Sequence, residues 1–177
     1  EPCINGAAVA NGTYFGVDMT PVVERLVGER LEDGGWNCEA ENGSVRSSFD
    51  TTINVLEGLL EFERATDGSP AVKAARERGQ EYLLSRHLFK RLSTGEPIEH
   101  DRKGGPVWTQ FSYPAGWHYD ILRGLDYLRN AGVAPDPRMA EAIEIVASKR
   151  DTDGRWALGI VHPEEVIAEP GITEGLV

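Results

Sequence analysis

The sequence predicts an all-α protein assembled from repeated helical hairpins, and three observations carry that prediction. Proline follows an oxygen-bearing residue at the head of three apolar-periodic runs: Thr20-Pro21, Ser69-Pro70 and Asp136-Pro137. Each pair offers an acceptor to the orphan N–H groups of a first helical turn and places proline where its missing N–H costs nothing. Period-2 alternation sustained over a strand length is missing throughout. Finally, two kinds of helical segment alternate along the chain, and the loops between them repeat.

Taken in order, a first segment spans about 4 to 15, and a proline-headed one about 21 to 31 with Val22, Val23, Leu26 and Val27 on its apolar side. The next, about 49 to 66, carries two stripes. Phe49, Ile53, Leu56 and Leu60 share one face while Thr52, Val55, Leu59 and Phe62 make another, so burial on more than one side is expected. Asp67-Gly68 closes it in the manner of a left-handed cap, and Ala131-Gly132 closes a similar segment at about 117 to 131. The two remaining proline-headed helices run about 70 to 91, with Val72, Tyr82 and Leu83, and about 137 to 149, with Met139, Ile143 and Val146.

The repetition is specific. Asp33-Gly34-Gly35-Trp36 returns 120 positions later as Asp153-Gly154-Arg155-Trp156, and at the same shift Glu24 matches Glu144 and Arg30 matches Arg150. Leu56-Glu57-Gly58-Leu59 returns after 66 positions as Leu122-Arg123-Gly124-Leu125. A unit of about 60 residues holding two helices follows, repeated about three times, and such units bury their faces against their neighbours.

Composition narrows the function. The 177 residues include 18 Lys+Arg and 29 Asp+Glu, a net charge of −11, with 40% hydrophobic residues, which describes a globular chain and disfavours nucleic acid and anionic membranes as partners. No apolar run of about 18 residues is present, so no membrane span is expected. The first residue is Glu1, which reads as a processed or excised piece of a longer chain. Two cysteines 35 positions apart, Cys3 and Cys38, make no disulfide framework; free thiols in a reducing cytoplasm are the simplest expectation.

A helix pair with Gly-x-Trp at its turn resembles the QW repeat of the terpenoid cyclase and protein prenyltransferase superfamily, which includes the squalene-hopene cyclases. That repeat runs basic, small, two or three residues, aromatic, Leu, three residues, Gln, three residues, Gly, x, Trp. Arg78-Gly79 with Tyr82-Leu83 fits its opening, with His87 at the Gln position, and Gly34-x-Trp36 and Gly154-x-Trp156 fit its close. Arg30 and Arg150 stand where the family has Gln, and the middle copy loses Gly-x-Trp in the long segment from Leu92 to Pro114. The resemblance covers most of the chain and implies an α/α toroid, a ring of inner helices inside a ring of outer ones. About three repeats make a partial toroid, a single domain over 1–177. The proline-headed helices would be outer, and the open half-ring would be closed by the remainder of a parent chain or by self-association as a homo-oligomer. Trp36 and Trp156 would be structural, as these loops are in the family.

The superfamily's chemistry is less well matched. Class II cyclases use an Asp-x-Asp-Asp acid and class I enzymes an Asp-Asp-x-x-Asp magnesium site; the chain has neither. Prenyltransferases hold zinc with an Asp two residues before a Cys, whereas Cys38 follows Gly35-Trp36-Asn37. His118 and Asp120 complete a zinc set with Cys38 only on paper, and no metal or other cofactor is expected. The richest candidate site is the approach to the second inner helix, where Trp108, Phe111, Tyr113, Trp117 and Tyr119 offer π faces for a carbocation or an apolar chain. His118 and Asp120 beside them make a proton-transfer pair, hence candidate catalytic residues. The matching approach one unit earlier is polar, with Glu39, Arg46 and Asp50, and would form a charged wall of the same ligand cavity. Against this stands a plain structural role: aromatics as core, Asp50 and Asp120 at the positive ends of helices. Three functions follow: a cyclase- or prenyltransferase-like protein handling an isoprenoid or other apolar small molecule, a noncatalytic helical binding module, or a polysaccharide lyase or hydrolase using Tyr119, His118 and Arg123.

Overall fold

In the computed structural model, which describes residues 1–66, 68–98 and 108–159, there are six α-helices, three of them started by a side-chain cap. They are α1 (Pro2–Tyr14), α2 (Thr20–Gly28), α3 (Phe49–Ala65), α4 (Pro70–Ser85), α5 (Ile121–Asn130) and α6 (Ala140–Ser148). No strand occurs among the described residues, and no described helix is long and apolar enough to cross a membrane. Ser48 accepts a hydrogen bond from the Thr51 N–H at the start of α3, and Ser69 accepts from Val72 at the start of α4. Gly68 and Gly132 both take positive φ past their helices, as the closing glycines predict. Asp67 lies outside the described residues.

Several boundaries differ from the sequence expectation, and four of them have a local reason. Thr20 is the first residue of α2, not its cap, because the Asp18 carboxylate takes the Thr20 N–H at 3.0 Å. The segment expected at 137–149 opens with a 3-10 turn, Pro137–Met139, capped by Asp136 through the Arg138 N–H. The segment expected from 117 starts only at Ile121, because Asp120 occupies the cap and accepts from the Arg123 N–H. The helix expected to reach 91 stops at Ser85. His87 and Leu88 adopt φ of 48° and 69°, which turns the chain so that the Leu88 side chain is fully buried. Left-handed backbone at two non-glycine residues costs about 1–2 kcal/mol each, and burial of Leu88 offsets a cost of that size.

The helices lie in two rows. The shorter-looped partners α1/α2, α3/α4 and α5/α6 pair with each other, α3 sits between α1 and α5, and α4 packs on α2 and on the turn that heads α6. Eleven of the 17 residues of α3 are buried, as its two apolar stripes predict for a helix with neighbours on several sides. Ile53, Leu56 and Leu59 of α3, Leu26 of α2, Leu83 of α4 and Ile121 and Leu128 of α5 are inaccessible and make the shared core. Each such side chain contributes about 1.5–3 kcal/mol of apolar burial. Where α1 crosses α3 the backbones touch: a Cβ on Gly58 would stand 2.3 Å from the Gly6 carbonyl oxygen, and a Cβ on Gly6 2.4 Å from that of Asn54.

The two Gly-x-Trp loops share their backbone turn and their indole hydrogen bond. Leu31 N–H donates to Gly35 O and Gly34 N–H to Leu31 O; 120 positions on, Asp151 donates to Arg155 O and Gly154 to Asp151 O. In each the indole N–H reaches back 2.7 Å to a carbonyl of the preceding helix, Leu26 for Trp36 and Val146 for Trp156. The rings differ in burial. Trp36 is fully buried, roofed by Gly79 of α4, where a Cβ would lie 2.9 Å from the indole, and by Leu56 beside it. Trp156 is 42% exposed, with the Arg150 guanidinium over its ring.

Candidate functional site

The approach to α5 is held in place by one face of α3. Asp50, Asn54 and Glu57 recur at helical spacing and each grips the segment from Trp117 to Arg123. Asp50 accepts the Tyr119 N–H at 2.8 Å, and the Asn54 amide donates to the Trp117 carbonyl at 2.8 Å while accepting from Arg123 at 3.2 Å. Glu57 takes Arg123 in a two-point ion pair, Nε at 2.9 Å and Nη2 at 2.6 Å, and the remaining Arg123 nitrogen donates to the His118 carbonyl at 2.6 Å. A planar guanidinium satisfied on three sides fixes this loop as a charge-assisted network does.

The aromatic residues divide into two groups. Trp108 and Tyr119 converge on Phe49, with ring centroids 4.5 and 4.9 Å from it, and Tyr82 joins at 5.4 Å. Tyr119 is buried, its hydroxyl donates to the Leu88 carbonyl at 2.8 Å, and burial pushes the phenol well above its ordinary value. Phe111 is buried elsewhere, toward the end of α6, where Lys149 lies over its ring. Tyr113 and Trp117 point outward, 82% and 64% exposed, and the Trp117 ring meets the His118 imidazole edge-on at 5.4 Å.

Asp120 is buried, and its two oxygens accept backbone N–H groups, from Arg123 at 2.9 Å and from Ser112 at 3.2 Å. Both oxygens of Asp120 are thus engaged in holding backbone at the head of α5. His118 is half-buried. Glu39 and Arg46 lie on the loop between Trp36 and α3: the Glu39 carboxylate accepts from Asn42 at 2.9 Å, and the Arg46 carbonyl accepts from Asn37 at 2.6 Å. Of the predicted site residues, then, Asp50, Trp108, Trp117, His118, Tyr119 and Asp120 gather at the heads of α3 and α5. Tyr113 and Phe111 turn away in different directions.

Cys38 does not join His118 and Asp120. Among the described residues, the group of acidic, thiol and imidazole side chains close enough to share an ion is Glu1, Cys3 and Cys38, within 4.8 Å of one another. Sequence reasoning also missed a groove of about 280 Å³ on the α1, α3 and α5 side, lined by Ala10, Leu60, Arg64, Asp126, Tyr127 and Asn130. Arg64 closes one end by donating to the Asn130 carbonyl at 2.6 Å. Burial pushes the Tyr127 phenol up to about 12, so it stays a neutral donor and acceptor at that wall. The signal for the Asn54, Glu57 and Arg123 network was present: Glu57 and Arg123 hold the same repeat position with opposite charge, and equivalent positions on neighbouring helices meet.

No family model, curated protein or solved structure matches the chain.

Proposed function

We propose that the chain is a noncatalytic helical-repeat binding module, three hairpins of an α/α toroid, whose ligand face is the rim formed by Trp117 and His118 at the head of α5. The observation that supports this reading best is the state of the acids. Asp120 and Asp50 each accept a backbone N–H, and Asp120 is buried at the head of α5, which it caps. The carboxylates next to this rim are engaged with backbone N–H groups, and the ring it exposes most is an indole. Rings with an apolar body and a polar tip suit recognition. The test is titration with geranylgeraniol followed by tryptophan fluorescence. Saturable quenching lost in Trp117→Ala, with no product formed from squalene or geranylgeranyl diphosphate, is the expected result; turnover by the chain refutes it.

A second reading keeps the isoprenoid enzyme. It rests on the convergence of Trp108, Tyr119 and Phe49 within 6.1 Å of one another, a largely buried cluster of the ring type that steadies a carbocation. Product formation that falls in His118→Ala would favour it. The polysaccharide reading draws no such support, since Arg123 is committed to Glu57 and the Tyr119 hydroxyl to Leu88.

A further inference from the structure

We propose that Cys3 and Cys38 are a dithiol–disulfide redox site, oxidised by a low-molecular-weight disulfide, whose closure ties the first helix to the loop ahead of α3. The two sulfurs stand 2.7 Å apart, although 35 positions separate them in the chain. Both carriers are fixed by contacts that owe nothing to the sulfurs. Cys3 lies in the first turn of α1, which is seated on α3 through the backbone contact of Gly6 with Gly58. Cys38 opens a 3-10 turn, Cys38–Asn42, and its N–H donates to the Thr51 hydroxyl at 3.3 Å. That hydroxyl lies 3.5 Å from the Cys38 sulfur, a donor that steadies charge developing there during exchange.

The spacing lies nearer to a disulfide than to a metal site. Two thiolates on one tetrahedral zinc, each about 2.3 Å from the metal, stand about 3.7 Å apart, a full ångström wider than these. A disulfide needs about 2.05 Å between its sulfurs. The third member of the cluster, Glu1, is exposed, and its carboxylate is 4.0 Å from Cys3. Burial and the neighbouring Cys38 push the Cys3 thiol up to about 11, so the pair meets at neutral pH without two thiolates repelling each other.

The chemistry balances by exchange. One cysteine, as thiolate, attacks a sulfur of glutathione disulfide, forming a mixed disulfide and releasing one glutathione thiolate. The second cysteine, on losing its proton, attacks the protein sulfur of that mixed disulfide and expels the second glutathione. Two protein thiols are oxidised, one glutathione disulfide is reduced to two glutathiones, and the two protons pass to solvent or to the leaving thiolates.

The test uses the 177-residue chain itself, in which Cys3 and Cys38 are the only two cysteines. Treated with glutathione disulfide, it is expected to lose two hydrogens by intact mass, to lose both titratable thiols, and to melt about 10 °C higher, all reversed by dithiothreitol. Cys3→Ser, which keeps Cys38 as the one thiol, is expected to stop at a glutathione adduct with no rise in Tm. Wild-type protein that accumulates glutathione adducts without closing overturns the proposal. So does stoichiometric zinc, added as the chloride, that protects both thiols from exchange.

Discussion

Alanine at Gly58 is expected to destabilise the protein even though it improves the helix. In the interior of α3, replacing glycine by alanine is worth about 1 kcal/mol of helix propensity. The structure opposes this: the new Cβ would stand 2.3 Å from the Gly6 carbonyl oxygen and 3.0 Å from its carbon, against about 3.3 Å or more for an unstrained carbon–oxygen contact. Both obstacles are backbone, so no rotamer change relieves them, and α1 must move about 1 Å off α3. Overpacking of this kind costs about 1–3 kcal/mol, and separating the two helices forfeits dispersion contacts along their crossing. The net expectation is a loss of about 2 kcal/mol, a fall in Tm of about 4–8 °C for a chain of this size. Gly28, at the end of α2, is the control, because a Cβ there meets nothing within 4 Å; Gly28→Ala is expected to raise Tm slightly. Urea and thermal unfolding of both variants decide the matter. If Gly58→Ala is as stable as Gly28→Ala, the close approach of α1 and α3 is wrong.

Trp36→Ala is expected to cost about 3–5 kcal/mol and Trp156→Ala about 1–2 kcal/mol, measured by urea unfolding, since the two indoles make the same hydrogen bond but only the first is sealed. Asp120→Ala is expected to lower stability by about 1–2 kcal/mol through the lost cap, while Asp120→Asn keeps most of it; a turnover defect with unchanged stability in Asp120→Asn would contradict the structural role. Glu63 is held below the usual carboxylate range by the hydrogen bonds from Arg76, so its pairing contributes stability above the unfolded pKa near 4.3 that disappears as pH falls through the lower folded value. The advantage of wild type over Glu63→Gln in Tm should therefore be flat above about pH 5 and shrink in acid.

What the sequence makes legible is whatever one helix or one loop decides alone. The caps at Ser69 and Asp136, the glycine stops at Gly68 and Gly132, and the two Gly-x-Trp loops with their 120-residue spacing are all local, and all are found. The misplaced ends arise where a distant group intervenes: α4 stops at Ser85 because Leu88 is wanted in the core and its carbonyl under Tyr119. The candidate site was legible by composition and not by role. Aromatic density near α5 is plain in the sequence, but which rings face inward is fixed by Phe49 on another helix, and Asp120, read as catalytic, and Asp50, read as ligand-binding, both accept backbone N–H groups. The 35-position separation of the cysteines concealed a contact that only the crossing of α1 over α3 creates.

The opposite burial of Trp36 and Trp156 shows how this repeat divides its work. The loop and its indole hydrogen bond form the same way in both copies, so they belong to the hairpin itself. The seal does not: Gly79, which lies against Trp36, comes from the next helix along the row. An interior glycine in α4 sacrifices helix propensity, and it does so where a full side chain would collide with the indole, so the stability of one hairpin is purchased at the expense of its neighbour's. A stack built on such exchanges is stabilised pair by pair. Its middle helix α3, gripped by α1 on one side and by the Arg123 network on the other, is the element on which the rest depends.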